Sequence, residues 1–313
     1  MRAVYALVAL CAALENTFNE NPDCDPRGLV EDRDGAGATV AALRRCTRGR
    51  DLALVGNSVT RHVYFSIASV LRAAAGRSDA DAGGVLAAGA SVRVDHTYRA
   101  EEKARCNPFN ADHDASAALR GACDEPLPGG GHIFAYWNTT GMLPKNALAF
   151  FRARAAESER PATIVVFNTL MDALAEPRTT PLDGLARNVA RSLVDTAAGA
   201  RGWAEVAWVP APRVCAAAPG WAIKHFGLPP YTGDELNARV ARHNAVVART
   251  AASEAPGVLR VGAVRAMDPA STDAPAVAAA CACYDDYVHH HRVTFNVISN
   301  IVRDLAAAGY CGD

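Results

Sequence analysis

A serine becomes a nucleophile only when a base takes its proton, and a histidine does this best when a carboxylate holds its other ring nitrogen. Two stretches of this 313-residue chain carry such groups. The first is Gly56-Asn57-Ser58-Val59-Thr60-Arg61-His62, which follows the apolar run Leu52 to Val55 and opens a helical pattern. A serine there stands at the carboxyl end of a strand, where the free N–H groups of a first helical turn can stabilise an oxyanion. Gly56 permits the tight turn, and Arg61 follows Ser58 at helical spacing on the same face. Read alone, Asn57 or Ser58 serves equally well as a helix N-cap. The second stretch is Tyr284-Asp285-Asp286-Tyr287-Val288-His289-His290-His291. The spacing of Asp286 and His289 puts their Cβ atoms roughly 5 to 6 Å apart if the turn is helical. One short segment can thus deliver both base and orienting acid to Ser58.

The same residues admit other readings. Asp285 or Asp286 with His289, His290 and His291 offers ordinary zinc ligands. Adjacent histidines point in different directions, however, so no metal and no cofactor is expected. His62 reads as a packed or exposed helix residue, and His96, His113, His132, His225 and His243 have no partner pattern. Trp137, Trp203, Trp208 and Trp221 could include a sugar-stacking platform, although aromatic residues at strand ends more often belong to the core. Asp51 and the stretch from Arg99 to Arg105 read as solvated surface, and Glu20 to Asp34 as an exposed arm held by Cys24.

The elements that must position these groups are legible as short apolar runs between turn formers: Leu52 to Val55, His132 to Trp137, Thr163 to Phe167, Ala204 to Val209 and Val258 to Val261. Helical patterns separate them, over Val59 to Leu71, Leu182 to Ala198 and Leu236 to Val247. A last amphipathic helix carries Val297, Ile298, Ile301, Val302 and Leu305. Pro126 to Gly131 and Asp79 to Gly84 read as loops. Strands alternating with helices predict an α/β fold with a mainly parallel sheet covered on both faces, and ligands at the carboxyl ends of its strands.

Lys and Arg number 32 against 33 Asp and Glu, so nothing in the overall charge draws the chain to nucleic acid or anionic lipid. With 50% hydrophobic residues the composition is that of an ordinary globular protein. Residues 1–14 read as a short secretory signal, with a buried first helix as the alternative, and residues 15–313 as a single domain. The run from Ala3 to Leu14 is shorter than the roughly 20 residues that span a bilayer, so no integral membrane segment is expected. Of nine cysteines, Cys11 falls in the signal, leaving an even number suited to disulfides in the secretory lumen or outside the cell. The pairings favoured are Cys24 with Cys46, Cys106 with Cys123, and Cys281 or Cys283 with Cys311. Asn138-Thr139-Thr140 is an N-glycosylation sequon.

Gly56-Asn57-Ser58-x-x-Arg61 after a strand, with Asp286-x-x-His289 ahead of a C-terminal helix, resembles the SGNH/GDSL hydrolase superfamily. Within it the chain resembles the PC-esterase branch, which includes the trichome-birefringence-like polysaccharide O-acetyltransferases and the luminal domains of membrane-bound sugar O-acetyltransferases. The likeness runs from Cys24 to Cys311 and takes in Cys46 before the first strand, Asn244 in the helix before the last strand, and Cys311 after the final helix. It implies a three-layer α/β/α sandwich in which Ser58 attacks an ester carbonyl. His289 would act as base and then acid, with Asp286 orienting it. Ser58 N–H, the side chain of Asn168 and the N–H of Gly89 would form the oxyanion hole, supported by Gly56, Asn57 and Arg61. Asn168 also reads as a plain turn residue, and Asn138 competes with it for the role. The family usually has Asp where Asn57 stands.

Two function classes follow. The resemblance implies a serine-dependent carbohydrate O-acyl esterase or O-acetyltransferase, with a glycan or acylated carbohydrate as substrate and an acyl donor in the transferase case. The alternative is a catalytically inactive carbohydrate-binding or structural protein on the same fold.

Overall fold

The computed structural model describes residues 35–56, 59, 60, 63, 64, 66–68, 71, 123–127, 130–137, 145–158, 160–167, 182–216, 231–284 and 294–311. In chain order the elements are α1 (Gly35–Thr47), β1 (Leu52–Gly56), β2 (Cys123–Pro126), β3 (His132–Trp137), α2 (Lys145–Ala156), β4 (Ala162–Phe167), α3 (Leu182–Ala200), β5 (Ala204–Val209), α4 (Gly233–Glu254), β6 (Leu259–Arg260), α5 (Ala274–Ala282) and α6 (Thr294–Ala307). Helical residues also follow β1 between positions 59 and 71. The sheet order is β2-β3-β1-β4-β5-β6. Five neighbours from β3 to β6 run parallel, and β2 adds an antiparallel edge to β3.

Each central strand alternates its side chains between two apolar layers, as a pleat buried on both faces must. Leu52, Leu54, Ile133, Val165 and Phe167 face one side, where Leu43 of α1, Val63, Tyr64 and Ile67 after β1, and Ile298, Ile301 and Leu305 of α6 cover them. Ala53, Val55, Phe134, Ile164, Val166 and Trp208 face the other side, beneath Ala147 and Phe151 of α2, Val189 and Leu193 of α3, and Val247 of α4. The result is the expected three-layer α/β/α arrangement. Trp208 is core, only 1% exposed, and Trp203 packs at the margin of the same layer.

Several expectations need correction. The loop read over Pro126 to Gly131 is shorter than expected: β2 runs through Pro126, which pairs with His132. Proline is tolerated there because the strand is an edge. Gly131, with φ near +85°, lets the hairpin approach the Arg50 carbonyl, where a Cβ would collide. Asp51 is not solvated. It is 5% exposed, its carboxylate gripped by Arg154 (Nε to Oδ2 2.6 Å, Nη2 to Oδ1 3.2 Å) and by the His132 N–H (2.9 Å).

The cysteine pairings differ as well. Cys46 pairs with Cys311, and Cys215 with Cys281. This overturns the pairing of Cys46 with Cys24 and of Cys281 or Cys283 with Cys311. Cys283 is disulfide-bonded too. Cys24, Cys106 and the signal read over residues 1–14 lie outside the described residues. Residues close in sequence look like natural partners, but α1 and α6 pack side by side, with Thr39 Oγ1 3.0 Å from Ser299 Oγ. That contact carries Cys46 to the chain's far end. Among the described residues no helix is long and apolar enough to cross a membrane.

Candidate functional site

Among the parallel strands the order is second-first-third-fourth-fifth in chain sequence, so the connections leave β1 toward opposite sides. Such a reversal opens a crevice beyond the carboxyl ends of the strands, where open α/β sheets bind ligands. β1 lies between β3 and β4, with Gly56 level with Trp137 and Val55 level with Val166. Gly56 is therefore the last residue of β1 at this crevice. A Cβ there would collide with Thr60 Oγ1 and lie 3.0 Å from Phe167 Cβ. Glycine thus lets the following helix fold back over the strand end and lets β4 close in beside it. Thr60 is 1% exposed, and its hydroxyl has no hydrogen-bond partner among the described residues.

Of the site residues named from sequence, Gly56 lies within the described residues. Ser58, Asn57, Arg61, Gly89, Asn168, Asp286 and His289 lie outside them, as do the competing Asn138, His62, Asp285, His290 and His291. In sequence, Ser58 comes two residues after the end of β1 and Asn168 directly after the end of β4. The residues that lead into and out of 285–293 are described, and both belong to the carboxyl side of the sheet.

Among the described residues, the chain leaving β5 pairs with no further strand and is held largely by side chains. Asn237 of α4 clamps Val214, accepting from its N–H (2.8 Å) and donating to its carbonyl (2.8 Å). Asn244, two turns later, does the same for Ala211 (3.0 and 2.9 Å). Each amide imitates a neighbouring strand, which satisfies backbone groups that burial would otherwise leave unpaired. Arg213 donates its N–H to the Met267 carbonyl (2.7 Å), and its guanidinium reaches the carbonyls of Asp268 (3.4 Å), Pro269 (3.3 Å) and Ser271 (2.8 Å). The Cys215–Cys281 bond ties the same segment to α5, and the Tyr284 hydroxyl donates to the Arg213 carbonyl at 2.8 Å. Burial pushes the Tyr284 phenol well above its usual range, so it stays a neutral donor.

Helix α6 descends from the carboxyl to the amino edge. Asn300 Nδ2 donates to the Gly262 carbonyl (3.1 Å), and Asp304 accepts from the Gly262 N–H (2.6 Å), just past β6. Beyond the helix, the Tyr310 hydroxyl donates to the Gly257 carbonyl (3.2 Å), ahead of β6. Arg160, which precedes β4, donates to the Cys311 carbonyl (2.5 Å). Thr294 begins the helix, about 9 Å of rise above Asn300.

Asn237, Arg213 and Tyr284 escaped the sequence reading; Asn244 entered only through the family likeness. A signal existed: Asn237 and Asn244 stand seven apart on the apolar face of α4, among Leu236, Val240 and Val247, where a polar residue must be hydrogen-bonded. His243 is buried beside them, and burial pushes its imidazole down to about 4, so it is neutral at pH 7. Among the described residues no group of His, Cys, Asp or Glu could hold a metal ion. Comparison of the chain with family models, curated proteins and solved structures found no match.

Proposed function

We propose that the chain is an SGNH-type serine esterase or O-acyltransferase of the PC-esterase branch, one domain over residues 15–313, acting on O-acylated carbohydrate in an oxidising compartment. One observation carries the reading: Gly56 ends β1 at the strand-order reversal, and the anchors on both sides of 285–293, Tyr284 and the start of α6, stand on that carboxyl side of the sheet. Ser58 follows Gly56 by two residues in sequence, and Asp286 and His289 fall between Tyr284 and Thr294, which supports the reading. The disulfides support the compartment.

In this mechanism Ser58 Oγ attacks the acyl carbonyl while its proton passes to His289, with Asp286 holding the ring. The Ser58 N–H, the Asn168 amide and the Gly89 N–H stabilise the oxyanion, while Gly56, Asn57 and Arg61 support the turn. Collapse breaks the ester bond, and the sugar oxygen leaves with the proton from His289. Water or an acceptor hydroxyl then gives its proton to His289 and attacks the seryl ester, which restores Ser58.

The test is p-nitrophenyl acetate turnover by wild type and Ser58→Ala, with mass measurement after an organophosphonate probe. Loss of turnover by about 10³-fold or more, and one phosphonyl adduct on Ser58 in wild type, are expected. Equal turnover in both proteins with Ser58 unlabelled overturns the enzyme and leaves a carbohydrate-binding protein on this fold.

A further inference from the structure

Residues 211–215 form an irregular stretch, yet nearly every one of them is fixed by a specific tie. Ala211 and Val214 are clamped by buried asparagines, Arg213 spans three carbonyls and donates its own N–H, and Cys215 is disulfide-bonded to α5. Such local rigidity costs side-chain entropy and places polar groups in an apolar layer, so an apolar segment would satisfy stability more simply. What the stretch presents is the Arg213 carbonyl, and what that carbonyl receives is the Tyr284 hydroxyl. Tyr284 comes two residues before Asp286 and five before His289. It also follows Cys283, which is buried and disulfide-bonded. A carboxylate and imidazole must be held within a fraction of an ångström to share a proton with a serine, and misplacement by about 1 Å can cost on the order of 10²-fold in rate.

We infer that residues 211–215 are a rail that fixes Tyr284, and that Tyr284 is a positioning residue for Asp286 and His289. This rests on the serine-esterase reading for its catalytic consequence, but the rail itself does not. The hydroxyl acts through the backbone it anchors and touches no reacting atom.

Tyr284→Phe in the full oxidised chain removes one hydroxyl. Tyr310→Phe is the matched control, because it deletes the same kind of hydroxyl-to-carbonyl bond on the amino side of the sheet. Two readouts are made: amide hydrogen exchange of peptides covering 285–293, and steady-state kinetics on p-nitrophenyl acetate with the rate of phosphonate labelling at Ser58. The expected result for Tyr284→Phe is faster exchange in 285–293, with kcat and the labelling rate both lowered about tenfold at unchanged KM. Tyr310→Phe should alter neither. Arg213→Lys, which cannot fork across three carbonyls, should act in the same direction and serves if Tyr284→Phe does not fold.

Unchanged exchange in 285–293 overturns the rail. Faster exchange with unchanged kcat overturns the positioning role and leaves the esterase reading intact. A wild type that neither turns over the ester nor takes label overturns the esterase reading and the positioning role together, while exchange still decides whether the rail holds.

Discussion

The two edges of the sheet are secured by different chemistry. At the amino edge the ties centre on charged side chains: Arg50 donates to Glu205 (2.9 Å) and Thr163 (3.1 Å), Asp51 is gripped by Arg154, and Arg160 reaches the carbonyls of Arg45 (3.3 Å), Arg48 (3.1 Å) and Cys311 (2.5 Å). At the carboxyl edge, among the described residues, they are mostly amide or hydroxyl bonds to backbone, from Asn237, Asn244 and Tyr284, with the charged Arg213 and Asp304 also bonding backbone groups. Charges can brace a remote end, where their titration moves nothing that matters to a site. Bonds from neutral side chains keep their geometry across pH, which suits the edge where the proposed esterase would present its base. Each edge also carries a disulfide, Cys46–Cys311 at the amino side and Cys215–Cys281 at the carboxyl side.

The largest effect that separates the edges should come from the amino-side disulfide. It closes a loop of 265 residues, so the double variant Cys46→Ser with Cys311→Ser should lose about 4 kcal/mol of unfolding free energy in urea. On the esterase reading, ester turnover measured well below the new melting temperature should stay within about twofold, because the loss falls on the edge away from Gly56, the carboxyl end of β1. A large drop in kcat in the folded double variant would erase the distinction between brace and platform.

A smaller effect tests whether the ionic brace is a net source of stability. Burial lowers the Arg50 guanidinium's pKa and raises that of the Glu205 carboxyl despite their contact, so desolvation outweighs the attraction in both partners. Glu205→Leu alone, which strands Arg50, should cost about 3 kcal/mol. The pair Arg50→Met with Glu205→Leu should return to within about 1 kcal/mol of wild type, as chemical denaturation of the full cycle would report.

His243, next to Asn244 on α4, is a titrating group of this carboxyl platform. Its folded value near 4 lies below the ordinary 6.5, so the folded state binds fewer protons than the unfolded state between those values. Its contribution is present above pH 6.5 and is lost as pH falls toward 4, amounting to about 3 kcal/mol. Unfolding free energies measured from pH 7 to 4 should show this slope, and His243→Gln should flatten it. An unchanged slope would mean that the acid sensitivity does not come from His243.

The candidate site was legible in the sequence as far as residue types and their order along the chain. Gly56 after an apolar run and the turn it permits follow from local sterics, as do the strand runs that end at Val209 and Phe167. Less was legible about what supports them. The helix over residues 35–47 and the edge strand at 123–126 lack a clean period; the helix is covered by α6, and the strand is fixed by its antiparallel pairing with β3, partners that are distant in sequence or reversed in direction. Asp51 read as surface because charge usually is; only the approach of Arg154 and the His132 N–H makes its burial tolerable.

By itself the sequence determined the alternation of strand and helix, the two apolar layers of the sheet and a serine placed at a strand exit, because these depend on side-chain periodicity and local backbone freedom. Tertiary structure alone decided that Cys46 meets Cys311, that Asn237 and Asn244 serve as surrogate strands, and that Tyr284 finds the Arg213 carbonyl. Those partners are fixed by which helices pack side by side. A hydrogen bond or disulfide between distant residues leaves no period in the chain from which it could be read.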